Sequence, residues 1–365
     1  MLNLEESLSK EQVLLHELQF RDRVKSAEYH YAVSFEFDGF FDDALVDVLF
    51  EKIKQLAKEV EFDSFKLGCS WPEVDDAQKS HLKFSVQTKL INMIEKDLGK
   101  KAEFSLHNLE FLIDFNKKLV LIRIQPVFVR GRYCKYSREI AQTEFFCNRC
   151  RGNGCWYCKG TGHFSSESVE QLIAKTMVPV FDSKLMILHG AGREDMDVLM
   201  LGKGRPFIAE MLMPLKRVAD LKKITEEINS FCAGKISVNS LEFCSLKDVS
   251  LLKDALHDKV YSAFVTSDKE ADFSKILLNE NISVRQRTPT RVVKRRADME
   301  RAKKVTVLRI GEITKNEFVV VMRTSHGTYV KEFISGDGER TVPSVSSLLD
   351  AHCSCKLLDV TEICE

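Results

Sequence analysis

Between His189 and Phe207, nineteen residues collect four glycines, the carboxylates Glu194, Asp195 and Asp197, and the guanidinium groups of Arg193 and Arg205. Glycine lets a backbone turn sharply or approach a ligand closely, and arginine presents a planar fork to carboxylate or phosphate. Two uses follow for Arg193 and Arg205: contact with the phosphates of an anionic substrate, or fixation of the neighbouring carboxylates. A glycine-rich surface loop with ordinary ion pairs has the same composition. A phosphate-cradling P-loop is excluded, because the segment contains no Gly-x4-Gly-Lys-Ser/Thr.

A second cluster is Cys147-x2-Cys150-x4-Cys155-x2-Cys158, with Gly152 and Gly154 in the gap. Zinc takes four soft donors in a tetrahedron, and each Cys-x2-Cys turn supplies two from one knuckle. Two knuckles close the site against water, so the expected cofactor is a structural zinc that holds a linker between domains; no organic cofactor is expected. Free thiols are the alternative. The other seven cysteines have no such spacing and read as small buried hydrophobes.

The third feature is basic. Arg285, Arg287, Arg291, Lys294, Arg295 and Arg296, then Arg301, Lys303 and Lys304, stand in a chain whose 54 basic and 54 acidic residues balance. An anionic partner is therefore met by a local patch rather than by the field of the whole molecule, although a solvated surface reads the same way. No run approaches the length of a membrane span, and the first residues lack a signal pattern, so an intracellular protein is expected. A monomer is the default expectation.

Several elements must position these groups. A charged helix is expected near residues 4 to 20, a strand over 29 to 37, and an amphipathic helix over 42 to 60. Leu82, Val86, Leu90, Ile91 and Ile94 recur at helical spacing up to a Gly99 cap. Two strands follow over 108 to 115 and 118 to 129, and Pro126 marks an edge or a bulge in the second. Ser168-Val-Glu-Gln171 opens a helix. Strands are then expected over 185–188, 206–211, 235–241, 260–266, 318–323 and 356–363, with helices near 217–230, 246–256 and 269–279. The class is α+β with a mixed or antiparallel sheet flanked by helices. Domain boundaries fall at 1–145, 146–163 and 164–365.

The glycine-rich segment resembles the catalytic motif of the tRNA pseudouridine synthase 10 family of archaea and eukaryotes. Further stretches are similar in the same order: 125–135, the cysteine knuckles, 168–173, Lys259 to Val265, Gln286 to Pro289 with Arg291, 295–298, His326 to Asp337 and 340–345. The likeness spans most of residues 45 to 362. It implies a THUMP-containing RNA-binding region at 1–145, a zinc-binding module of four cysteines at 146–163 and a pseudouridine synthase catalytic domain at 164–365. The cysteine pair that many members carry near their N-terminus has no counterpart here.

By that resemblance Asp195 is the catalytic nucleophile and Tyr261 the aromatic residue against the target base. Gly327-Thr-Tyr-Val-Lys331 is similar to the Gly-Thr-Tyr-Ile-Arg motif of the TruB class, which makes Lys331 the cation paired with Asp195. One of Leu357 or Leu358 supplies an apolar wall. The implied partner is tRNA, at T-arm uridines 54 and/or 55. Carboxylate chemistry at a sugar carbon needs an ionised Asp195, which a neighbouring Lys331 favours.

The target must leave its stack, so phosphate contacts by Arg193, Arg205, Arg287, Arg291, Arg295 and Arg296, with Tyr329 beside them, are expected to hold the flanking nucleotides. Asp197 reads as a second acid or, in preference, as a group that holds the loop. His189 and His326 read as structural or RNA-contacting. The alternative function is an inactive RNA-binding adaptor. In the cell the protein is expected in the cytoplasm and/or nucleus.

Overall fold

The computed structural model describes residues 29–37, 41–144, 147, 149–150, 153–162, 167–294 and 296–364. The helix expected near residues 4 to 20 lies outside the described residues, as does Arg295. Two compact units divide the chain: Met1–Phe128 with Met177–Ile187 and Glu210–Asp220, and Val129–Thr176 with Leu188–Ala209 and Leu221–Glu365.

The first unit contains a mixed sheet of five strands: β1 (Tyr31–Ser34), β2 (Ser64–Ser70), β3 (Lys101–Ala102), β4 (Leu109–Asp114) and β5 (Leu119–Ile124), in the order β1-β5-β4-β2-β3. β2 runs parallel to β3 and β4, while β5 is antiparallel to β1 and β4. Helix α1 (Asp43–Ala57) starts where Asp42 Oδ1 accepts the Leu45 amide at 2.9 Å. Its Leu45, Leu49 and Ile53, spaced by four, join Phe65, Phe111 and Ile122 in one apolar core.

The expected second helix is a composite of α2 (Asp76–Leu82), a π-helical segment at Lys83–Thr88, and α3 (Lys89–Leu98). Its Leu82, Val86, Leu90 and Ile94 are buried, and Gly99 caps it in the left-handed region. Pro126 marks neither an edge nor a bulge. β5 lies inside the sheet, where every amide is needed, and it ends at Ile124 before the proline that has none to give.

A ten-stranded sheet, most of which belongs to the second unit, is ordered β14-β11-β12-β13-β10-β15-β8-β6-β9, with β7 paired to β8. The strands are β6 (Val127–Lys135), β7 (Leu185–Gly190), β8 (Val198–Leu212), β9 (Ile236–Cys244), β10 (Lys259–Ser267), β11 (Asn281–Arg287), β12 (Glu300–Thr314), β13 (Glu317–Thr324), β14 (Thr341–Val342) and β15 (Cys353–Ile363). From β11 to β15 the pairs are antiparallel, whereas β15 and β8 run parallel. Alternation buries Ala263 and Val265 on β10, Val305 and Val307 on β12, and Phe318, Val320 and Met322 on β13.

Helix α4 (Val169–Phe181) begins as its sequence predicts, with Ser168 Oγ accepting the Gln171 amide at 3.1 Å. α5 (Leu221–Phe231) and α6 (Leu246–Asp254) follow, then the short α7 (Val330–Ser335) and α8 (Val345–Leu349). The helix expected near 269–279 does not form. Asp272 Oδ1 instead accepts from the Ser274 amide and hydroxyl, at 3.1 and 2.6 Å, and only a 3-10 turn at Phe273–Lys275 results. Among the described residues no helix is long and apolar enough to cross a membrane.

Candidate active site

Asp195 stands on the turn that leads from β7 into β8. Val198, the first residue of β8, pairs in parallel with Leu358 of β15, and on the far side of β15 Val360 faces Tyr261 of β10. Three neighbouring strands thereby bring an acid and an aromatic residue, 66 positions apart in sequence, to one region of the sheet.

The Asp195 carboxylate is 48% exposed, open to a substrate, and its Oδ2 has two cations against it: Arg291 Nη1 at 3.4 Å and Lys331 Nζ at 3.6 Å. Lys331 makes its hydrogen bonds elsewhere, to Asp197 Oδ2 and Oδ1 at 2.8 and 3.0 Å. Burial pushes the Asp197 acid up, but the bond and charge of Lys331 outweigh this and hold it below its ordinary value. Arg291 in turn donates through Nε to the buried Glu332 at 2.6 Å. Lys331 thus ties Asp197 to Asp195, and Asp197 is placed to hold the turn.

Beneath the turn lies a buried ion pair. Arg205 Nε and Glu194 Oε2 are 2.7 Å apart, with both side chains 1% exposed. The Tyr133 hydroxyl donates to the Glu194 carboxylate at 2.9 Å and accepts from Gln142 Nε2 at 2.8 Å, while Arg205 Nη1 donates to the Ala191 carbonyl at 2.7 Å. Burial, then the Glu194 charge, pushes the Tyr133 phenol far up, so it stays a donor. Of the two uses open to Arg205, the structure shows the holding of a carboxylate; no phosphate reaches a side chain so enclosed.

The backbone of the turn is clamped from β6. Lys135 Nζ donates to the carbonyls of Met196 at 2.7 Å, Ile140 at 3.0 Å and Asp195 at 3.4 Å. Burial brings the Lys135 ammonium down to about 8. Arg138 donates to the carbonyls of Asp197 at 2.8 Å and Leu358 at 3.1 Å, and to Asp359 Oδ1 at 2.5 Å, which joins the turn to β15.

Two glycines allow the close approach. Gly204, at φ +82°, would place a Cβ 2.7 Å from the Tyr133 carbonyl oxygen, and Gly192, at φ +80°, would place one 3.3 Å from Arg205 Nη1.

Burial raises the Tyr261 phenol pKa. Arg205 opposes the shift, and Glu194 and Asp195 add to it, so the ring shares the field of the acid turn. Tyr329 accepts from Arg296 Nη1 at 3.0 Å, and Arg193 is exposed on the turn. Arg287 pairs with Asp298 at 2.8 Å, but Arg340 shares that acid at 2.5 Å, which leaves the group net positive. Leu358 is buried and Leu357 exposed.

Glu194, Tyr133, Lys135 and Arg138 have no assigned role in the sequence reading. Glu194 stands between Arg193 and Asp195, where its side chain passes for another surface charge. Its partner Arg205 lies eleven residues on, a separation that the intervening glycines obscure.

Away from this turn, the four clustered cysteines have sulfur atoms all within 4.8 Å of one another, with Sγ pairs at 3.7 and 3.8 Å. Four sulfurs held at about 2.3 Å around a tetrahedral zinc stand about 3.8 Å apart. The amides of Cys155 and Gly162 point at Cys158 Sγ, at 3.1 and 3.2 Å. Burial pushes the Cys158 thiol up, but those N–H groups and the neighbouring thiols outweigh it and bring it down to about 6. The cluster can hold a metal ion.

The family model described as the C-terminal part of Pus10 matches residues 128–364. The chain belongs to the Pus10 family. A protein of Methanocaldococcus jannaschii named tRNA pseudouridine synthase Pus10 is 39% identical over 89% of this chain and 74% of its own. Proteins of the same name from Korarchaeum cryptofilum and Archaeoglobus fulgidus are 34% and 35% identical, over 89% and 87% of this chain and 91% and 92% of theirs. A chain of a Cbf5–Nop10–Gar1 complex is similar over 53% of this chain and 44% of that one, at 16% identity and a TM-score of 0.31, too low for comparison of residues.

Proposed function

We propose that this chain converts uridine to pseudouridine in the T-arm of tRNA, at position 54, 55 or both, with Asp195 as nucleophile on a flipped-out nucleotide. Membership of the Pus10 family supports tRNA pseudouridine synthase as the enzyme class, an isomerase. The observation that carries the residue assignment is the accessible Asp195 with two cations at one oxygen, on a turn braced from three sides.

The isomerisation breaks the N1–C1′ bond, turns the uracil and joins C5 to C1′; C5 gives up its proton and N1 takes one, so composition does not change. Asp195 attacks or abstracts at the sugar while Lys331 and Arg291 aim it. Tyr261 stacks on the detached uracil and keeps it in the pocket, with Leu357 or Leu358 as an apolar wall. Arg193, Arg287, Arg295, Arg296 and Tyr329 hold the flanking nucleotides. Arg291 is taken up by two carboxylates, and Arg205 acts through Glu194 instead of on phosphate. Residues 1–145 contain a THUMP-like RNA-binding domain.

Incubation with an unmodified tRNA transcript, followed by pseudouridine mapping, tests the activity. Conversion at position 54 or 55 is the expected result. A transcript left unmodified at every uridine, by protein that contains its metal, would sink the proposal.

The metal is a structural zinc on Cys147, Cys150, Cys155 and Cys158. Metal analysis should find about one zinc per chain, and Cys158→Ser should lose most of it, because the remaining three thiolates no longer close the tetrahedron. Full zinc content in the serine variant would show that Cys158 is no ligand.

A further inference from the structure

The cysteine module has an outer face that zinc binding does not use. Its 3-10 turn, Trp156–Cys158, turns Cys158 inward and leaves Trp156 and Tyr157 outward, 74% and 52% exposed. Their rings meet edge to face, with centroids 5.9 Å apart at 77°. Arg149 lays its guanidinium over the Trp156 indole, 4.4 Å from the ring centroid. Residues 145–166 contain Arg149, Arg151 and Lys159 and not one aspartate or glutamate, in a chain that elsewhere balances its charges.

A single exposed apolar side chain is ordinary on a protein surface. Two adjacent aromatic rings, a cation stacked on one, and an acid-free stretch of sequence make a different combination. An indole at that exposure contributes little to the fold, since its transfer from water is incomplete. The knuckle nevertheless holds it rigid and outward, since Cys155 before it and Cys158 after it share one thiol cluster. The chemistry that matches is an unpaired nucleotide. Its base offers a π-face to the indole, and its phosphates meet Arg149 and Lys159.

We infer that Trp156, with Arg149 and Lys159 at its rim, is a stacking platform for an unpaired base of the RNA substrate. The inference rests on the tRNA-modifying reading above. It adds a contact on the cysteine module, distinct from the Asp195 turn.

The protein has two tryptophans, so Trp71→Phe leaves Trp156 as the sole indole reporter. Titration of that protein with unmodified tRNA transcript should quench its emission. A single-stranded oligoribonucleotide should do the same, and a blunt RNA duplex should not. Trp156→Ala should weaken tRNA binding about tenfold and raise KM in step while kcat stays unchanged, and Trp156→Phe should recover most of the loss. Zinc content equal to the parent's in both variants shows that the module is intact. Unquenched emission in Trp71→Phe, or parental affinity in Trp156→Ala, with a parent protein that binds and modifies tRNA, would overturn the platform alone; equal quenching by the duplex would overturn stacking. A parent that neither binds nor modifies the transcript would remove the enzymatic reading together with this one.

Discussion

Asp195→Asn should bind unmodified tRNA as the parent does and form pseudouridine slower by on the order of 10⁴-fold or more, the scale at which loss of a nucleophile is felt. The amide keeps the size and shape of the carboxylate but can no longer form a bond to carbon or take up a proton. Stability should change little, since the side chain is half exposed and its contacts to Lys331 and Arg291 are long, at 3.6 and 3.4 Å. Single-turnover assays with saturating enzyme separate the two quantities: product formation collapses while the bound fraction holds. Conversion near the parental rate would transfer the nucleophile's role to another residue, with Asp197 the first to examine.

Glu194→Ala should instead unfold the second unit far more readily. It strips the counter-charge from Arg205, a guanidinium 1% exposed, and leaves the Tyr133 hydroxyl without its acceptor. Breaking one partner of a buried pair costs about 3–5 kcal/mol. For a unit of this size that corresponds to a melting temperature lower by on the order of 10 °C. The double variant Glu194→Ala, Arg205→Met should recover much of the loss, because it removes the orphaned charge as well. Calorimetry of the two single variants and the double gives the coupling directly. A Glu194→Ala protein that melts with the parent would mean that water or a rearrangement satisfies Arg205, and the brace under Asp195 would then be dispensable.

The sequence made the acid turn and the cysteine module legible because both depend on local spacing, which survives translation into three dimensions. Lys331 stands 3.6 Å from Asp195, but its hydrogen bonds go to Asp197, two residues on, a choice of partner that spacing alone does not decide. Lys135 was not legible as a clamp. A lysine between Cys134 and Tyr136 reads as solvated, and only the fold reveals that it is fully enclosed with three carbonyls around its ammonium.

Strands β11 and β12 were hidden for a related reason. Their alternation puts Arg285, Arg287, Arg301 and Lys303 among apolar residues such as Val284 and Val305, and at that density of charge the stretch reads as a solvated or phosphate-binding surface. The failed helix near 269–279 shows the reverse. Its composition tolerates a helix, but Asp272 satisfies the local amides first.

The placement of β15 bears on when such a protein becomes competent during synthesis. It lies between β10 and β8, and it pairs beside the residues that follow Asp195. A nascent chain that ends before Cys353 has the acid, the tyrosine and the lysine already made, yet leaves β8 and β10 as two open edges with nothing to space them. The pairing of β8 with β15 must therefore wait on residues more than 150 positions downstream, and a ribosome stalled short of that point yields an aggregation-prone fragment.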